Sequence, residues 1–202
     1  MKALTSYMNE ALKIGKNLSK FSTYSYKPTN RKELSDIIKV RIKKDGPNCN
    51  LNDIDTSLIT DMSWIFYESD FNGNISKWNT SNVTNMREMF AYSKFNSDIN
   101  EWDTSKVEDM RDMFNGSKFN QPIGDWNVSR VTNMSWMFNS SLFNQDISKW
   151  DTSSVINMTR MFESSKFNHD ISKWVIRQDC VTFNMFDWCH IKEKHRPKPL
   201  QR

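Results

Sequence analysis

Apolar side chains recur along this chain in fixed columns. Trp78, Trp102, Trp126, Trp150 and Trp174 are each 24 residues apart, and Phe66, Phe90, Phe114, Phe138, Phe162 and Phe186 keep the same step. Further columns are Phe71 to Phe167 (each followed by Asn), Met62 to Met158 and Ile75 to Ile171. A fixed period of this length means a stacked architecture in which each unit buries its apolar face on its neighbours. Stepping back from Ile75 and Trp78 lands on Leu51 and Ile54, so the first coil begins near Leu51. The last coil keeps Trp174, Met185 and Phe186 but has Asp179 and Thr182 in its Val and first Met columns, as an end unit facing water should.

Within a unit the spacing changes character. Ile, Trp and Thr at relative positions 1, 4 and 6 follow the pattern of a leucine-rich repeat and predict a short parallel strand. The run V-x-x-M-x-x-M-F places apolar residues three and four apart, which predicts one or two helical turns, with the preceding Thr-Ser as a source of N-caps. The expected fold is an α/β repeat solenoid, leucine-rich-repeat-like, with a short strand and a short helix per coil. It covers residues 51–189 as about five full coils plus a C-terminal capping coil.

Other signals surround the array. Asn30-x-x-Glu33 reads as a capping box, followed by Leu34, Ile37, Ile38 and Ile42 on one face and stopped by Gly46-Pro47. Residues 29–50 are thus expected to be a helix plugging the N-terminal end of the core, its Arg31, Lys39, Lys43 and Lys44 solvated. Residues 1–15 form an amphipathic leader with Leu4, Tyr7, Met8, Ala11 and Leu12 on one stripe. A helix so short is marginal alone, which leaves docking on the solenoid, on another protein or on a membrane surface open. Residues 16–28 read as a linker and 190–202 as a basic tail.

Charge is unevenly spread. Residues 1–48 carry eleven Lys/Arg against four Asp/Glu and residues 190–202 five against one, whereas the stretch between carries twelve against nineteen. An acidic array disfavours nucleic acid as a partner, since neutralising phosphates needs clustered positive charge. Cys49, Cys180 and Cys189 make no disulfide framework, and their odd number points to a reducing compartment. There is no apolar run long enough for a transmembrane segment and no signal-peptide h-region. The expected location is cytoplasmic, with the cell surface by another route or a virion as alternatives.

Few constellations suggest chemistry. Cys180, Cys189, His190 and His195 are four possible zinc ligands, but the cysteines lie nine apart, outside the spacing of structural zinc sites, so no metal is expected. Asn-x-Ser/Thr sequons at Asn79, Asn82, Asn127, Asn133 and Asn157 are by-products of the repeat. The column Asp55, Asn79, Asp103, Asn127, Asp151 reads either as a cap on the following Thr-Ser turn or as a polar recognition ladder. The columns Asp61 to Asn157 and Ser69 to Ser165 read as structural. No nucleophile–base pair, phosphate loop or catalytic carboxylate pair is visible, so neither an enzyme nor a cofactor is expected.

The motif V-t-N-M-s-x-M-F-x-x-S-x-F-N-q-d-I-s-x-W-d-t-S, clearest over Val131–Trp150 and Val155–Trp174, resembles the BspA-like leucine-rich-repeat family, in the branch found in mycoplasmal lipoproteins, gut bacteria and their phages. The resemblance covers about residues 51–189, and residues 31–50 resemble the segment that often precedes such arrays. It implies a right-handed solenoid, protein–protein or adhesive binding, no enzymatic residues and, for many members, surface exposure. The expected function is a non-catalytic protein-binding scaffold, bacterial or phage-encoded. The alternatives are a surface-exposed adhesin, or a structural or cargo component of a phage particle recruited through the leader. With Trp78 to Trp174 and Phe90, Phe114, Phe138 and Phe162 consumed by the core, the expected partner-binding residues are Lys77, Asn79, Glu101, Asp103, Asp125, Asn127, Lys149 and Asp151.

Overall fold

The computed structural model describes residues 24–201. The expected leader and most of the expected linker lie outside them. From Leu51 the chain runs as coils stacked 24 residues out of phase, and one continuous cluster of buried side chains reaches from Leu34 to Ile191. The Trp column is buried to within a few per cent. Neighbouring Phe rings along the Phe66–Phe186 column lie 5.5–5.8 Å apart, nearly parallel.

Each coil is a succession of tight turns, which corrects the expected strand and helix. In Ile75–Asp98, Trp78 N–H donates to Ile75 O, Val83 to Thr80, Met89 to Met86, Ala91 to Glu88 and Ser93 to Phe90. Glu88 and Tyr92 have φ of 54° and 56°, and the two equivalent positions of every other coil are also left-handed. That conformation suits the third residue of a tight turn and is excluded from a right-handed helix. The Met and Phe spacing that suggested a helix is met as well by three overlapping turns.

The backbone donors freed in this way tie the coils together. Met86, Glu88, Phe90 and Tyr92 donate to Asp109, Arg111, Met113 and Asn115 O at 2.7–2.9 Å. The parallel bridges therefore fall on the amide/acid column, running Asp61↔Asn85↔Asp109↔Asn133↔Asn157↔Val181. Two more bridges, Tyr26↔Ile54 and Asn50↔Asn74, tie the N-terminal end; from Ile75 on none falls on the Ile-x-x-Trp-x-Thr segment, because the Ile75–Trp78 turn bends the chain where a strand must stay extended. Alternation survives there without a strand: Lys77 and Asn79 are exposed while Trp78 and Thr80 are buried, and the next three coils repeat this.

Side chains add three ladders. Each Trp indole donates to a carbonyl 27 residues earlier, from Trp78 to Leu51 through Trp174 to Ile147, at 3.0–3.2 Å. Asn72, Asn96, Asn120 and Asn144 accept the backbone N–H of the Asn one coil on, and Asn168 that of Lys192. Thr56, Thr80, Thr104 and Thr152 donate their hydroxyls to the next coil's backbone. Val128 interrupts this last ladder and is fully buried. Val128→Thr, nearly the same shape, should restore the rung toward Asp151 O and raise unfolding free energy by about 1 kcal/mol, measurable in urea. An unchanged or lower value would mean that the buried hydroxyl does not reach that carbonyl.

The N-terminal end is closed by α1, Arg31–Asp45. Asn30 accepts Glu33 N–H, while Glu33 reaches back to the N–H and hydroxyl of Thr29, one residue before the expected partner. Leu34, Ile37 and Ile38 enter the core. Two arginines of α1 bond to the first coil: Arg41 bonds both oxygens of Asp53, and Arg31, expected to be merely solvated, pairs with Asp61 and donates to Ser63 O. At the other end 3-10 turns Glu193–His195 and Lys198–Leu200 fold against the last coil. Among the described residues no helix is long and apolar enough to cross a membrane.

Candidate partner-binding face

The expected binding residues come from two columns on either side of the buried Trp, and all eight are exposed. Lys77 and Glu101, with Asp125 and Lys149, form the column before Trp; Asn79, Asp103, Asn127 and Asp151 form the one after it. The turns set this orientation, since a buried Trp at one position leaves both neighbours in water.

The column after Trp has a structural duty. Asn79, Asp103, Asn127 and Asp151 each accept the backbone N–H of the Ser two residues on, at 3.0–3.1 Å. This is the cap reading of that column. The Ser105 hydroxyl and backbone N–H hold the Asp103 carboxyl below the usual range, and Ser153 does the same for Asp151. In the first coil burial works against ionisation of Asp55, but Ser57 and Lys27 outweigh it, and the Lys27 ammonium lies 2.9 Å away. Asp103 and Asp151 thus stay charged well into acid while one oxygen is committed to the fold.

The column before Trp is free of that duty. Asp125 and Lys149 form an exposed ion pair at 3.1 Å, a kind worth little in water. Glu101 touches only the Asn100 amide, at 3.4 Å. Glu101, Asp103 and Asp151 are therefore the exposed acids of this face that lack an ion-pair partner among the described residues.

An irregularity beside them was not anticipated. Asn74, Asp98, Asp146 and Asp170 each cap the N–H two residues on. Where the third coil meets the fourth, Pro122 takes this place and Gly124 stands where the neighbouring coils carry Asn100 and Ser148. The result is a notch of about 250 Å³ bordered by Asn100, Pro122, Gly124, Asp125, Gln145 and Lys149. Gly124 is needed, because a Cβ there would lie 2.5 Å from Asp146 O. A Pro-x-Gly in a column of Asx-x-Ser was the available signal.

The other columns are used internally. Asp61, Asn85, Asp109, Asn133 and Asn157 accept the N–H two residues ahead. Ser69, Ser93, Ser117, Ser141 and Ser165 accept the N–H of the following Phe. Cys189 replaces Ser in that column and meets Ser165 Oγ at 3.4 Å, and burial pushes its thiol pKa up. Among the described residues no three His, Cys, Asp or Glu side chains gather as metal ligands.

Residues 42–140 and again 93–196 match a family described as Mycoplasma protein of unknown function, DUF285. No curated protein and no solved structure matches the chain.

Proposed function

The chain belongs to the DUF285 family, and from that footing we propose that it is a non-catalytic, protein-binding scaffold of the leucine-rich-repeat-like, BspA-like kind, its coils wound as a solenoid. The partner lies against the face built by Lys77, Asn79, Glu101, Asp103, Asp125, Asn127, Lys149 and Asp151. One observation carries this reading: the core columns scarcely vary from coil to coil, whereas the exposed column before Trp runs Lys77, Glu101, Asp125, Lys149. Variation confined to exposed positions on a constant frame is what recognition requires. The unpaired charges at Glu101 and Asp103 select a partner with a basic centre, and its association should slow as salt rises. The notch at Pro122 and Gly124 gives the face its one break in register among these coils.

The test is a combined Glu101→Lys, Asp103→Asn, Asp125→Asn variant. Asn is chosen at 103 because it can still accept the Ser105 N–H, so folding should be retained. Immobilised full chain and variant are exposed to lysate, and the protein captured by the full chain is then measured in isolation. The variant should bind it at least about tenfold more weakly, with a shallower salt dependence. Undiminished binding by a normally folded variant would remove this face from the function.

A further inference from the structure

The last coil ends unlike every step inside the stack. Met158, Arg160, Phe162 and Ser164 N–H donate to carbonyls of the following coil at 2.8–3.0 Å. One coil on, the N–H groups of Thr182, Asn184, Phe186 and Trp188 have no acceptor among the described residues. Four donors at every second residue make an open backbone edge, and such an edge is a template for another chain.

The shape of this end decides what fits. The core above the last coil is already covered: Met185 and Phe186 are buried, and the Arg196 guanidinium lies 5.3 Å over the Phe186 ring. A further coil, from a second copy or elsewhere, would find no place for its Met and Phe columns. What remains is a groove of about 480 Å³ between the donor row and the tail, with Asn184 and Trp188 on one side and Arg196, Pro199 and Leu200 on the other. That room suits a single segment of chain. An extended segment offers carbonyls along one edge at every second residue, and the four donors likewise recur at every second residue, along a turned and not an extended backbone.

Side chains narrow the choice. Arg196 bonds Glu193 through Nη1 at 2.9 Å, but its buried Nε has no hydrogen-bond partner among the described residues. Asp187, which also borders the groove, adds a second negative charge, so what calls for one further acceptor is the Nε donor of Arg196, for which a carboxylate is the strongest partner. Trp188 is 84% exposed and Phe183 62%, an unusual display of aromatic surface at the edge.

We propose that this groove binds one extended segment of a partner polypeptide by strand addition. Its backbone carbonyls take the N–H groups of Thr182, Asn184, Phe186 and Trp188, a carboxylate meets Arg196, and an apolar side chain packs on Trp188. This mode combines main-chain bonds for affinity with side-chain contacts for selectivity. The site is separate from the acidic face and does not depend on it.

The test uses the full isotope-labelled chain and a blocked seven-residue peptide of alternating Val and Glu, with a Val/Lys peptide as control. In the free protein the four amides should exchange rapidly with solvent, while those of Met158, Arg160, Phe162 and Ser164 are protected. The Val/Glu peptide should shift the four amide signals and the Trp188 indole. Trp188→Ala and Arg196→Gln should each weaken it about tenfold. Trp188 is exposed enough that its loss should spare folding, which keeps the test valid if Arg196→Gln unfolds. Protection of the four amides in the free protein would overturn the proposal, concentration dependence then pointing to a second copy and its absence to another part of this chain. So would equal binding of the Val/Lys peptide, shifts confined to the Glu101–Asp125 face, or no shift at millimolar peptide.

Discussion

Trp126→Ala will lower the free energy of unfolding by about 3–5 kcal/mol, the cost of emptying a large core site. Trp126 is buried to 4%, its indole donates to Ile99 O at 3.2 Å, and its ring lies 6.3 Å from Phe114. Ala would leave a cavity between two coils and remove one of the two donors to that carbonyl, which keeps only the Trp102 N–H. Trp126→Phe, which keeps most of the volume and loses only the N–H, should cost nearer 1 kcal/mol. Trp174→Ala should cost less than Trp126→Ala, because the coil of Trp174 has a full coil on one side only whereas that of Trp126 has one on each. Chemical denaturation followed by circular dichroism decides this, and equal losses at 126 and 174 would contradict a stack stabilised by nearest neighbours. A broadened or two-step transition for Trp126→Ala is the expected companion, since the array would then divide at its weakest interface.

The second large effect is expected at Gly73→Ala. The equivalent positions in later coils hold Ser97, Gln121, Gln145 and His169, so the turn itself does not demand glycine. The neighbour does. A Cβ on Gly73 would stand 1.9 Å from Cys49 O and within 3 Å of the Phe71 ring. That carbonyl belongs to the segment leading out of α1, and it accepts Asn74 N–H. A backbone carbonyl cannot swing aside as a side chain can, so the cap would have to lift from the first coil. The expected loss is about 3 kcal/mol, at the upper end for an overpacked site. Hydrogen exchange should show it concentrated in α1 and the first coil. Ser97→Ala, at the matching place one coil on, should change stability by less than about 0.5 kcal/mol, and a similar loss at both positions would refute the close-approach argument.

The contrast between Gly73 and its later counterparts shows what was legible in the sequence. The columns fixed which residues are buried and in what register, because burial by stacking leaves the same mark at every repeat. Trp, Phe, Met and Ile all lie where the period put them. Local conformation was not legible in the same way. Ile-x-x-Trp and V-x-x-M-x-x-M-F satisfy strand and helix templates, yet apolar spacing of three or four also arises from chained tight turns. The clue that would have decided it is the residue at the left-handed positions, and Trp64, Tyr92, Trp136 and Arg160 gave no warning there. At all four the costly φ turns the residue's own N–H toward a carbonyl of the adjacent coil. The Asn following each Phe was visible as a column, but its use as a rung needs the inter-coil distance, which a period does not supply. Of the candidate face, exposure was legible and the division of labour was not: Asp103 and Asp151 look as free as Glu101 until the Ser N–H groups are placed.

The directions of the bonds between coils have one more consequence. Along the turn segment, N–H groups such as those of Met86 to Tyr92 point toward the following coil. Elsewhere in the same coil Thr84 N–H and Lys94 N–H point back to Thr60 and Ser69 O, and Asn96 N–H to the Asn72 side chain. Peptide dipoles on different sides of the stack therefore oppose one another, where in an α-helix they add along the axis. Such a stack accumulates less net dipole as it lengthens than the same bonds would give if all ran one way. Its ends need covering for their apolar surface and for their unpaired backbone groups more than for a dipole summed along the stack. Array length is then electrostatically freer to vary, and duplication or loss of a whole 24-residue unit in the gene leaves both terminal caps facing a similar field.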